Sequence, residues 1–292
     1  MLASAVLAAV IAGPGCARRG LHPALDITSL QEPLDAGLER VNPYFASLYA
    51  EDYLRRGGDP ARVRTFLQWY LDSLNYPDRH GLTGTIDDMN VEPGGRMART
   101  GDYDSADGYA AVFLVLLESY ERRSGDAAFC HDNRKRIEDI AWLLLHLQDP
   151  DGLLRAHPGT DARYLMDNCE AYGGLVAYDD LMRRLEWNQG PRYREAAETV
   201  RRAVINLLGT SGDEPFHWAD VAGHLHPSDW SRFYPDALAQ VFPILYGVVD
   251  VDSPTAVRLW REFDRRHGPA AAIERDPAQR VIIDLTRELM ES

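Results

Sequence analysis

The chain has 292 residues, 45% of them hydrophobic and 26% charged, with a formal net charge of −14 at pH 7. That apolar content is enough to bury a large core and excludes a disordered chain. The basic residues are scattered rather than gathered into a stripe, which argues against a nucleic-acid partner, and an acidic surface suits neutral or cationic ligands. Lys135, inside the charged run NRKRIED, is the sole lysine, so Schiff-base chemistry and a phosphate loop are not expected.

The N-terminal stretch MLASAVLAAVIAGPGCARRG has an apolar core of about a dozen residues, too short for a bilayer and of signal-peptide length. It reads as an export signal. Cys16 stands where a lipoprotein cysteine would, behind a poor small-residue box at Gly13-Pro14-Gly15; cleavage after Ala17 is the competing reading. The expected organisation is a signal over 1–17, an irregular linker over 18–38 and a single helical domain over 39–292. The expected location is periplasmic or extracellular, with membrane contact only through a lipid on Cys16.

Helical patterns then follow one another with almost no strand signal, over 43–56, 60–75, 105–123, 127–148, 168–186, 191–209, 233–248, 253–267 and 277–290. The fold class is all-α. The segment 191–209 sets Tyr193, Ala196, Val200, Val204 and Leu207 against a charged opposite face, as an outer helix does, whereas AAVFLVLL (110–117) is apolar all round and reads as an inner helix. Short turns such as RRGGDP (55–60), RRSGD (122–126) and EWNQGP (186–191) join helices into hairpins. The longer loops 76–103, 149–166 and 210–231 connect one pair to the next, and loops that long are usually functional. Cys130 and Cys169 fall at opposite ends of the helical stretch between them, roughly 25 Å apart, so they are expected as free, buried thiols.

The pairs repeat. The loop openings DRHGL (78–82) and DPDGL (149–153) share Asp-x-x-Gly-Leu, and the following helix openings share Asp-x-x-acid-x-Tyr at Asp104/Asp107/Tyr109 and Asp167/Glu170/Tyr172. Weaker echoes occur at Asn42-Pro-Tyr44 and Asp236. With its DxxGL turns, the YDSADGYAAVFL and LMDNCEAYGGL openings and its paired helices, the chain resembles the (α/α)6 toroid of the six-hairpin glycosidases over roughly 40–290. The helix count falls short of the twelve such a toroid has, so the ring is expected to be truncated toward its C-terminus, completed by the N-terminal segment, or open. The resemblance implies an enzyme that cleaves glycosidic bonds of a poly- or oligosaccharide by inversion; no cofactor motif appears in the sequence, so no cofactor is expected.

The acid pairs have two readings. An Asp at the N-cap with an acid three residues on forms a capping box, and the helix dipole favours both charges. Tyr109 and Tyr172 at the same offset, with Tyr103 ahead of the first pair, add what capping does not require: carboxylates to accept sugar hydroxyls and aromatic faces to cover C–H patches. Trp218, His224, Trp230, Tyr234 and Arg99 are expected on the same face, and with Asp87, Tyr103, Tyr109, Asp167, Glu170 and Tyr172 they make up the expected substrate-binding set.

Glycoside cleavage takes one protonated and one ionised carboxyl. A carboxylate at a helix N-terminus is held ionised, so Asp107 is the expected base, with Asp104 as the alternative. The acid is sought in GTIDDMNVEPGG (84–95), at Asp88, with Asp87 turned to the backbone. His224-x-His226 lacks a third ligand at metal-site spacing, so no metal is expected. GxSxG and thiol-enzyme signatures are absent. Two other readings stay open: a catalytically silent toroid that binds sugar or an envelope partner, and a polysaccharide lyase on the same fold.

Overall fold

The computed structural model describes residues 22–32, 38–188, 190–210, 214–268 and 276–292. The expected signal and Cys16 lie outside the described residues. Within the expected linker there is a short helix, α1 (Pro23–Thr28), so that stretch is not wholly irregular. It opens on a proline, with the His22 side chain accepting from Ala24 N–H.

A two-residue strand, β1 (Arg40–Val41), leads into α2 (Pro43–Arg55) and α3 (Pro60–Asp72), on both of which α1 packs. Both helices start on proline behind a side-chain cap, Asn42 and Asp59, where the missing proline N–H costs nothing. The long loop after α3 contains a hairpin, β2 (Met89–Glu92) and β3 (Arg96–Arg99), which pairs antiparallel with β1 in the register Val41↔Met89↔Arg99. Next come α4 (Ala106–Ser124), α5 (Ala127–Asp132) and α6 (Arg134–Leu147). The helix expected over 127–148 is thus two, broken at Asn133, whose Nδ2 donates to the Phe129 carbonyl at 3.0 Å.

A second three-stranded sheet joins β4 (Ala162–Tyr164), ahead of α7 (Leu165–Arg184), to β5 (Ala219–Val221) and β6 (His224–His226), which follow α8 (Arg192–Ala203). These strands, of two to four residues, are too short to print an alternation in the sequence. The helix expected over 233–248 is also broken. Tyr234 precedes Pro235 and is extended (φ −119°, ψ 135°), as the proline ring demands of its predecessor, and regular helix returns only at α9 (Phe242–Leu245). The chain ends with α10 (Pro254–His267) and α11 (Pro277–Glu291), close to the expected bounds.

The inner elements form a ring: α2 packs on α4, α4 on α7, α7 on α9, α9 on α11, and α11 on α2. Among the described residues the ring therefore closes, with α11 bridging the gap that the helix count left. Outside it, α3 covers α2 and α4, α6 covers α4 and α7, and α8 covers α7. The expected inner–outer distinction holds: Phe113, Leu114 and Leu117 of α4 are fully buried, while α8 buries one face through Tyr193, Ala197 and Val200. The DxxGL repeat is a repeated turn: Asp78 N–H donates to the Leu82 carbonyl and Asp149 N–H to that of Leu153, both at 2.8 Å. Its glycines, Gly81 and Gly152, have φ of 81° and 101°, a region that side chains avoid. Cys130 and Cys169 are both free and buried.

The tightest seam in the ring runs between α4 and α7, where a Cβ on Gly174 would lie 2.7 Å from the Ala111 Cα and 2.9 Å from its carbonyl oxygen. Backbone cannot yield there as a flexible side chain would. Gly174→Ala is expected to destabilise the protein by about 1–3 kcal/mol, read as a lowered midpoint of chemical unfolding with an unchanged slope.

Candidate active site

A cleft of about 230 Å³ opens at the N-terminal ends of the inner elements, and each contributes to its wall. Asn42, Tyr44 and Phe45 come from the start of α2, Asp104, Ser105 and Tyr109 from that of α4, and Met166 and Asp167 from that of α7. Tyr234, Leu238 and Phe242 enter from the broken segment before and within α9; Asp276, Ala278, Gln279 and Ile282 enter from α11. The polar groups sit mainly on the α2–α4–α7 side and the aliphatic groups on the α9–α11 side. None of these wall residues is basic.

The acids are not caps. The N-cap positions are Ser105 for α4 and Tyr164 for α7, neither with a side-chain capping bond. Asp104 lies outside its helix and is exposed, whereas Asp107, Asp167 and Glu170 are within theirs. Asp107 has no exposed surface and Glu170 1%; Asp167 keeps part of its surface toward the cleft. Glu170 Oε1 accepts from the Tyr44 hydroxyl at 2.5 Å. Gly108 makes room for this packing, since a Cβ there would be 3.0 Å from Glu170 Oε2.

Burial reverses the expectation for Asp107. Desolvation, then the nearby Asp167 charge, push its carboxyl well above the usual range, against the pull of the helix dipole, and so disfavour the ionised form expected of a base. Glu170 is raised for the same two causes. Asp167, on the cleft wall, is pushed up to about 7, first by burial and then by the Asp104 charge. Two carboxyls facing one cleft in different environments, one buried and one exposed, are what acid–base division of labour requires.

Asp88 is also lifted by burial, yet both its oxygens are taken: Oδ1 accepts from the Tyr109 hydroxyl at 2.8 Å and Oδ2 pairs with Arg40 at 2.7 Å. It stands behind Tyr109 and is absent from the cleft wall, so it is not placed where the expected acid would act. Asp87 accepts from Asn75 Nδ2 at 3.0 Å, and Arg99 donates to Asn75 and to the Leu74 carbonyl. Both anchor the hairpin loop and are absent from the cleft wall. Tyr103 is buried with its hydroxyl on Asp78 Oδ2 at 2.6 Å.

The expected aromatic set divides. Tyr109 and Tyr234 line the cleft, Tyr234 with 57% of its surface exposed. Tyr172 does not: it is absent from the wall, and its hydroxyl feels the charges of Glu198, Arg201 and Arg194 of α8 and of Asp250. Trp230 is a core residue at 9% exposure. Trp218 stacks on Tyr164 with centroids 6.1 Å apart and planes 8° from parallel, and His226 tilts onto it at 5.4 Å. His224 is exposed in β6 and is not among the wall residues.

No family model and no curated protein matches the chain. Among solved structures it is similar to a rhamnosidase from Klebsiella oxytoca with rhamnose bound, at 14% identity and a TM-score of 0.58, over 86% of this chain and 46% of that one. It is similar to a glycosidase carrying a single glutamate-to-alanine substitution (17% identity, TM-score 0.57, 84% of this chain and 68% of that one). A third likeness is to a GH76 α-mannanase of Bacteroides thetaiotaomicron (9% identity, TM-score 0.52, 83% and 69%). The fold is that of the six-hairpin glycosidases. The chain spans less than half the length of the rhamnosidase it matches.

In this six-hairpin-type ring, sequence reasoning missed several wall residues. Tyr44 and Asn42 were visible only as an echo of the acid–tyrosine pattern, yet Asn42 Nδ2 donates to the Tyr109 hydroxyl at 2.6 Å and Tyr44 holds Glu170. Asp276 and Gln279 gave no signal, because they reach the cleft only through ring closure by α11. His157, stacked on His80 with centroids 5.1 Å apart, lies close enough to feel the Asp104 charge.

Proposed function

We propose that the protein is a carbohydrate-active hydrolase that cleaves glycosidic bonds, with Asp167 as general acid and Asp104 as general base. The observation that carries this is Asp167 itself: a carboxyl on the cleft wall, poised at about 7 and facing a second, exposed carboxyl. A general acid works best with a pKa near the working pH. In the reaction, the Asp167 proton passes to the glycosidic oxygen as its bond to the anomeric carbon breaks. Asp104 takes a proton from the water that attacks that carbon, giving inversion, as the fold resemblance also suggests. Tyr44, Tyr109 and Tyr234 offer ring faces to the sugar, and Asp104, Asp167 and the Tyr234 hydroxyl meet its hydroxyls.

The described wall carries acids and no basic group, which favours a neutral glycan over a uronate polymer and so favours hydrolysis over the lyase reading. No helix among the described residues is long and apolar enough to cross a membrane. Export, with or without a lipid on Cys16, is proposed from the N-terminal sequence alone and is checked by fractionation of cells carrying wild type and Cys16→Ser.

A screen of neutral and uronate polysaccharides tests the function. New reducing ends from a neutral glycan support the proposal. Unsaturated products absorbing in the ultraviolet would assign a lyase, and saturable binding without new ends would assign a binding protein; either sinks the hydrolase.

A further inference from the structure

The buried acid Asp107 has no place in the chemistry above, yet its surroundings are specific. Its Oδ1 accepts from Gly108 N–H at 2.9 Å. Its Oδ2 is buried without a hydrogen-bond partner, and so is Asp167 Oδ2. The two carboxyls are nonetheless in hydrogen-bonding contact with each other, and the Ser105 hydroxyl reaches both. Two carboxylate oxygens cannot bond without a hydrogen, so each is unpartnered only if no proton lies between them. One proton satisfies both. Asp107 has no exposed surface whereas Asp167 opens onto the cleft, so the neutral form falls to Asp107, and because its Oδ1 is already an acceptor the proton is placed on Oδ2.

We propose that Asp107 is a positioning residue that stays protonated and donates from Oδ2 to Asp167 Oδ2, leaving Asp167 Oδ1 to carry the proton delivered to the substrate. This deepens the proposed function and rests on it for the role of Asp167. The donated bond fixes the Asp167 carboxyl in one orientation. It also strengthens when Asp167 gives up its proton, because a hydrogen bond to a charged acceptor is roughly twice as strong as one to a neutral acceptor. Asp107 thereby makes Asp167 a better acid than burial alone would allow. The other titratable groups facing the pair are Asp104 ahead of α4, Cys169 and Glu170 on α7, Tyr44 on α2, Tyr164 ahead of α7, and Tyr234 and Tyr246 from the α9 region. Glu170 is itself held by Tyr44 and Tyr246, so it does not compete for the shared proton.

Two variants separate the role from mere packing. Asp107→Asn keeps a donor and a similar shape, so the alkaline limb of kcat against pH should stay near that of wild type with kcat within a few-fold. Asp107→Leu removes the donor, so the limb should move to higher pH and kcat should fall about tenfold or more with KM little changed. Infrared difference spectra give a readout that needs no activity: wild type at neutral pH should show a buried carboxylic-acid C=O band assigned to Asp107, and Asp107→Asn should lack it. A band unchanged in Asp107→Asn overturns the proposal. So does an alkaline limb that Asp107→Leu leaves in place. If no substrate is found, the shared proton is still decided by the band: it should vanish in Asp107→Asn and shift in Asp167→Asn, and a band that Asp167→Asn leaves unmoved overturns the proposal whatever becomes of the hydrolase reading.

Discussion

Asp167→Asn should lower kcat by about 10²–10⁴-fold on a glycoside with an alkyl or sugar leaving group, while costing far less on a dinitrophenyl glycoside. The difference follows from the role. A poor leaving group departs as an alkoxide unless it is protonated, whereas a dinitrophenolate leaves without help. The amide of Asn preserves shape and can still accept from Asp107, so folding should survive. The comparison of the two substrates, measured as kcat on the same preparation, separates loss of a proton donor from general damage. Equal losses on both substrates would mean that Asp167 does something other than donate a proton.

Asp104→Asn should cost a similar factor, about 10²–10⁴, but equally on both kinds of leaving group, because activation of the water is needed whichever group departs. Asp104 is exposed, so its replacement should leave the unfolding midpoint nearly unchanged. It should also move Asp167. The Asp104 charge is one of the forces that raises the Asp167 carboxyl; removing it lets Asp167 ionise at lower pH, so the alkaline limb of the residual activity should shift toward acid. An unmoved limb would show that the two carboxyls do not feel each other across the cleft.

The buried acids also give stability a direction with pH. Asp107, Asp167 and Glu170 all have folded-state pKa values raised above those of an unfolded chain. The stability tied to them is present in full below the ordinary carboxylate range and is lost as pH rises through the raised values. For Asp167 that loss falls on the approach to about 7. Urea midpoints across this range should decline in wild type, and Asp107→Asn should flatten the decline.

The helical class, the inner and outer faces and the DxxGL turns were legible because each is written in local sequence: an apolar run, a one-sided stripe, an Asp with a left-handed glycine. The site was legible only in outline. Asp104/Asp107/Tyr109 and Asp167/Glu170/Tyr172 look equivalent, but α7 begins where β4 meets β5, with Leu165 N–H donating to the Trp218 carbonyl at 2.9 Å. That long-range bond starts the helix two residues before Asp167, so Tyr172 falls about one turn deeper than Tyr109 and faces α8. Likewise Ala106 N–H is satisfied by the Ala156 carbonyl at 2.6 Å, which removes the need for Asp104 to cap. Asp88 reads from sequence as a loop acid that burial raises, and burial does raise it. What local sequence could not show was Arg40 arriving from β1 to occupy its second oxygen.

The most direct test is kcat against pH for wild type and for the double variant Asp104→Asn/Asp167→Asn on a neutral alkyl glycoside. The wild-type rate should hold up on the acid side of neutrality and fall tenfold per pH unit above about 7, and the double variant should have no measurable rate at any pH. A wild-type rate that is flat across neutrality, or a double variant that still turns over, would contradict the assignment of this cleft as the catalytic site.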